Sequence, residues 1–99
     1  MKDRYSFIVI FDVTKSGISI EFPDLPGCLP CADTMEEALK NDHEALGLHL
    51  CGIEQDGEEI PKATEIQDIT LEKNQVSAIV EAFMPSFRDK LNSSFIKKL

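Results

Sequence analysis

The 99-residue sequence has no long apolar run. Its longest mostly apolar stretch near the N-terminus, Tyr5 to Val13, is nine residues long and interrupted by Asp12. A membrane-spanning helix needs about 20 apolar residues, so the stretch is too short to cross a bilayer. No small-residue cleavage site follows it, and it does not read as a signal peptide. Cysteine is scarce and odd in number; three residues without a secretory signal read as reduced thiols of a cytoplasmic protein. The motifs of common active sites are missing too: no G-x-S-x-G, Walker-type or G-x-G-x-x-G pattern occurs, which leaves no nucleophile elbow or phosphate-cradling loop. Internal repeats and low-complexity tracts are absent. Positive charge is in short supply, with ten Lys and Arg against eighteen Asp and Glu and a net charge of −8.

What is present suffices for one modest core and not for two. The charge is uneven. Residues 33–72 hold two basic against twelve acidic side chains, a net of −10, whereas residues 73–99 are net +3. An acidic block of this kind repels nucleic acid and suits a basic protein partner.

Tyr5, Phe7, Val9, Phe11 and Val13 alternate with Ser6, Ile8, Ile10 and Asp12. The spacing predicts a central strand covered on both faces. Thr14 to Gly17 has hairpin length, Ile18, Ile20 and Phe22 form the return strand, and Leu29 to Ala32 fits a short third one. A helix is predicted from Met35 to about Gln55, stopped at Asp56-Gly57. Ala38, Leu39, Ala45, Leu46, His49, Leu50 and Ile53 share its apolar stripe. Gly47 and Gly52 weaken it, so close packing against the sheet is expected at one of them. Val76 to Met84 is the next strand, ended by Pro85. Phe87 to Leu99 is basic and weakly patterned.

The most informative stretch is Phe22-Pro23-Asp24-Leu25-Pro26-Gly27-Cys28. Each proline fixes its own φ and extends the residue before it, and Gly27 supplies backbone freedom. Thr34 and Glu37 then have capping-box spacing, in Asp33-Thr34-Met35-Glu36-Glu37-Ala38-Leu39. Together with Asp56-Gly57-Glu58-Glu59-Ile60-Pro61, these motifs resemble, in order and spacing, the HicB family of toxin–antitoxin antitoxins. The resemblance covers residues 5–90. It implies an α+β fold: a mainly antiparallel sheet with one long helix on one face (βββαβ, partial RNase H-like). It also implies a toxin-neutralising domain at residues 1–86 and a basic tail at 87–99, where family members continue into a DNA-binding domain.

Three constellations invite chemistry. Asp12, Glu21 and Asp24 are the carboxylates a nuclease would need to converge on metal ions, but Asp12 and Glu21 are expected roughly 20 Å apart by strand rise, so no catalysis is expected. Cys28, Cys31, His43 and His49 nearly copy a zinc-finger spacing. Strong strand patterns on both sides and an acidic helix oppose that reading, and neither metal nor cofactor is expected. In the tail, Arg88, Lys90, Lys97 and Lys98 alternate with Phe87, Leu91, Phe95, Ile96 and Leu99, as in a linker remnant with its lysines in water.

The resemblance implies a HicA-like mRNA interferase as partner, neutralised by covering its active site and RNA-binding surface. Charge and expected exposure name Glu21, Asp24, Glu36 and Glu37 as contacts, with Leu25 as an apolar anchor. Exposed sheet edges favour a homodimer, and operator DNA would be read only through the further domain. The alternative is a stand-alone domain that binds a small ligand or nucleic acid, favoured if no small basic reading frame adjoins the gene.

Overall fold

The computed structural model describes the backbone of residues 2–97 and the side chains of residues 2–90. The tail side chains Leu91, Phe95, Ile96, Lys97, Lys98 and Leu99 lie outside them. Four strands, β1 (Arg4–Thr14), β2 (Gly17–Glu21), β3 (Cys31–Ala32) and β4 (Gln75–Phe83), form one antiparallel sheet in the order β3-β2-β1-β4. Helix α1 (Met35–Gln55) packs on one face. Strand β1 is central, as its pattern predicts. Phe7, Val9 and Phe11 enter the helix-side core, and Ile8 and Ile10 on the other face are buried as well.

The corner between β2 and β3 is two successive turns. Leu25 N donates to Phe22 O at 2.9 Å, and Cys28 N to Leu25 O at 3.1 Å. Pro26 and Gly27 are the middle residues of the second turn, and Gly27 has φ +89°. Positive φ at this position is the demand of a type II turn. Gly27→Val is therefore expected to cost more than about 1 kcal/mol, although no atom would touch the new Cβ. A melting temperature equal to the parent's would show that the turn tolerates a side chain.

Helix α1 begins at the predicted cap, where Glu37 N donates to Thr34 Oγ1 at 3.2 Å. The return bond is displaced by one residue, with Glu37 Oε2 accepting from Asp33 N. At the other end Glu58 N donates to Ile53 O and Gly57 N to Glu54 O, with Gly57 at φ +71°. This is a Schellman stop.

Two expectations about the helix need correction. Leu39 is 55% exposed, and the buried positions are Ala38, Asp42, Leu46, Gly47, Leu50 and Cys51. Gly47 lies not against the sheet but under the ring of Phe87. Phe87 belongs to a second helix, α2 (Met84–Lys97), which the weak patterning of the tail does not reveal. Met84 and Phe87 are part of the core, so the packed unit extends past residue 86. The basic residue after them is engaged too. Arg88 Nε and Nη2 donate to Glu54 Oε1 and Oε2 at 3.0 and 2.7 Å, and Nη2 also donates to Lys2 O. A two-pronged pair to a carboxylate whose side chain is 8% exposed ties α2 to α1. Arg88 is thus no lysine-like group in water.

Candidate functional site

Acidic side chains gather at each of the two ends of α1. Glu36 and Glu37 occupy the exposed first turn. Asp24, Asp56, Glu58 and Glu59 line a groove of about 580 Å³ beside the last turns, together with His49, Gly52, Ile53, Leu25, Pro26 and Pro61. Sixteen residues from Glu36 to Gly52 place the two groups roughly 24 Å apart along the axis. The corner and the helix start are therefore not one patch. The acidic loop at Asp56 to Glu59 completes the groove. The charge count of residues 33–72 includes these groups but could not say which would meet the corner.

Two of the predicted contacts have other duties. Leu25 is 1% exposed and sits in the core, so it is not available as an anchor. A leucine between two prolines reads as a surface loop residue, but the double turn aims it inward. Asp24 is a latch: its Oδ2 accepts from Thr64 N at 2.8 Å and its Oδ1 from Thr64 Oγ1 at 2.6 Å. It fastens the segment after α1 to the corner, and both oxygens already have partners.

Glu21 is exposed, and its relation to Asp12 differs from the expected 20 Å. Ile10 pairs with Glu21 and Asp12 with Ser19, making Asp12 and Glu21 diagonal neighbours about 7–8 Å apart on one face. The offset is only two residues because the strands pair across the hairpin, so distance along the chain does not add up as separation. They line one small cleft with Cys31 and Gln75, and Gln75 Nε2 donates to Asp12 Oδ2 at 3.5 Å. With Asp24 bound to Thr64, this pair gains no third acid. Among the described residues no group of three or more His, Cys, Asp or Glu converges as metal ligands would.

The zinc-finger spacing does not survive folding. Cys28 is buried, its thiol directed at Ala45 O at 3.7 Å. Burial pushes that thiol's pKa up, away from the thiolate a metal requires. Cys31 is exposed on β3. His43 stacks on Phe87 with ring centroids 5.5 Å apart, while His49 lines the acidic groove.

Asp42 is the one buried charged residue in the described chain, 2% exposed, and its Oδ2 has no hydrogen-bond partner among the described residues. Desolvation raises its pKa, opposed more weakly by the His43 backbone amide and by the charge of His43. The folded state therefore favours the protonated acid. Its contribution to stability is largest below the ordinary aspartate range, near pH 4, and is lost as pH rises above it. Asp42→Ala is expected to stabilise the domain by about 1–2 kcal/mol at pH 8, with the gain shrinking toward pH 4. Urea melts at both pH values check this. A pH-independent difference would mean that the carboxylate is not the cause.

Fold and site together define a small α+β domain with exposed carboxylates at both ends of its long helix. The chain matches a family model described as the HicB-like antitoxin of bacterial toxin–antitoxin systems over residues 5–93. It belongs to that family. It is 36% identical over 59 residues to an uncharacterized 14.9 kDa protein of the rep-hol intergenic region of Haemophilus phage HP1. That match covers 60% of this chain and 44% of the phage protein, so the chain spans less than half of that relative. Among solved structures it resembles the N-terminal domain of the Burkholderia pseudomallei antitoxin HicB, with TM-score 0.65 and 22% identity, covering 77% of this chain and 95% of that one. It is also similar to a chain of the HicA3 and HicB3 toxin–antitoxin complex, with TM-score 0.61 and 23% identity over 77% and 95% of the two chains. A chain of a Streptococcus pneumoniae toxin–antitoxin complex gives TM-score 0.75 at 16% identity, over 85% and 72%. At such identities these structures establish the fold, the α+β arrangement that the sequence motifs predict.

Proposed function

We propose that this chain is an antitoxin that binds a HicA-like mRNA interferase and covers its active site and RNA-binding surface. Family membership supports the antitoxin role, and the exposed acidic groups supply a physical means. The observation that carries the mechanism is the pair of acidic surfaces, at Glu36 and Glu37 and around Asp56, Glu58 and Glu59. An RNA-cleaving protein presents positive groups to phosphates, and carboxylates compete for the same groups. Neutralisation by covering needs no catalytic group in the antitoxin, and the reading is non-enzymatic and cytoplasmic. Complementary charge mainly raises the association rate and selects the partner. Glu21, Glu36 and Glu37 remain the proposed contacts, joined by Glu58 and Glu59, while Asp24 and Leu25 hold the corner that borders Glu58 and Glu59.

The test uses a small basic protein, a HicA-like mRNA interferase, and a labelled RNA. One equivalent of the 99-residue chain should abolish cleavage, and excess RNA should relieve the inhibition. Undiminished cleavage at tenfold excess of the chain would refute the reading.

A further inference from the structure

Strand β4 ends the sheet, and its outer edge is open. Val13 N donates to Asn74 O and Met84 N to Asp3 O, so by antiparallel alternation the even-numbered residues of β4 bond to β1. The odd-numbered ones, Ser77, Ile79, Glu81 and Phe83, turn their peptide groups outward. Among the described residues none of these four bonds to another backbone group there. Most of the usual protections of an edge are missing: the strand has no proline, no lysine, one charged residue, Glu81, and nine residues of regular pairing. Val76, Ile79 and Phe83 are 51%, 59% and 41% exposed. At the start of helix α2, Met84 and Phe87 turn into the core and not onto the edge.

We infer that β4 is the interface for a second copy of this chain, two β4 strands pairing antiparallel about a two-fold axis at Ile79 to make one eight-stranded sheet. The strand is complementary to itself in that register. Ile79 meets Ile79 of the other copy, Ser77 meets Glu81, and Ala78 meets Val80, each outward amide facing an outward carbonyl. Moving the two-fold axis by two residues, a slide of four in register, would set Glu81 against Glu81, and like charges directly opposite are unfavourable. Electrostatic repulsion across the seam is small, since β4 carries one charged side chain, Glu81, whereas the net −10 belongs to residues 33–72. Two copies joined here leave both acidic ends of α1 free, so dimerisation stands apart from the antitoxin reading.

Sedimentation equilibrium of the 99-residue chain tests the interface, with Ile79→Lys and Ile79→Pro as variants. The Ile79 amide faces outward, so proline removes no bond within the chain. The parent should have the mass of a dimer. Each variant, with an unchanged circular dichroism spectrum, should dissociate at least about tenfold more readily. Amide exchange at Ser77 and Glu81 should be slow in the parent and fast in both variants. A monomeric parent at about 100 µM overturns the inference, as does a dimer unchanged in both folded variants. A monomeric parent whose variants fail to bind the basic protein would assign the edge to the toxin and overturn it equally.

Discussion

Replacing Gly47 with alanine is expected to destabilise the domain by about 2–3 kcal/mol. Intrinsic propensity points the other way, since alanine favours a helix interior by about 1 kcal/mol over glycine. Overlap decides the sign. A Cβ at position 47 would enter the outer edge of the Phe87 ring, and that ring is itself a core member between α1 and α2. Relief would require the ring to tilt away from His43, or α2 to lift and break the Arg88–Glu54 pair. Denaturant unfolding measures the loss. In a Phe87→Leu background the same Gly47→Ala change should cost much less, because the overlapping atoms are gone. Gly47→Ala proteins as stable as the parent in both backgrounds would show that α2 does not rest on this glycine.

Leu25→Ala is expected to cost about 2–4 kcal/mol. The side chain is almost fully enclosed, delivered by the two turns that Pro23, Pro26 and Gly27 build. Truncation leaves a cavity under the corner and weakens the seat of Asp24, and with it the latch to Thr64. An anchor exposed to a partner would behave in the opposite way, with little loss of stability and a large loss of affinity. Below its melting transition, Leu25→Ala should bind the basic protein with an affinity within a factor of about three of the parent's, a difference of about 0.65 kcal/mol. A stable variant with tenfold weaker binding would return Leu25 to the interface.

The legible parts of this chain are those where one local rule acts alone. Alternation over Tyr5 to Val13, the Lys15-Ser16 hairpin loop, the Thr34 cap and the Gly57 stop each depend on a few neighbouring residues, and all appear in the fold. Where two segments had to meet, the pattern was mute or misleading. Leu39 and Asp42 exchange the roles their hydropathy assigns, because the inward face of α1 is set by its contacts with the sheet and α2. Helix α2 follows directly on β4 without a capping signal, and the inward ring of Phe87 is received by a glycine 40 residues earlier. The site divides similarly. The acidity of residues 33–72 was plain from composition, but its partition to opposite ends of a helix, and the loss of Asp24 to Thr64, follow from tertiary contacts alone.

If the acidic ends of α1 capture a basic RNA-cleaving partner, as proposed, the rate of association with that partner depends on them. Two paired reversals are compared with the parent at low and high salt: Glu36→Lys with Glu37→Lys, and Glu58→Lys with Glu59→Lys. Reversal in the first turn opposes the helix dipole by about 0.3–1 kcal/mol per site, so glutamine replacements at Glu36 and Glu37, which keep the capping geometry, control for folding. The account predicts association at least about tenfold slower at low salt for one or both reversals. The difference should shrink as screening shortens the reach of charge to about 8 Å at physiological ionic strength and to about 3 Å at 1 M. Equal low-salt rates for the parent and both folded reversals would contradict it.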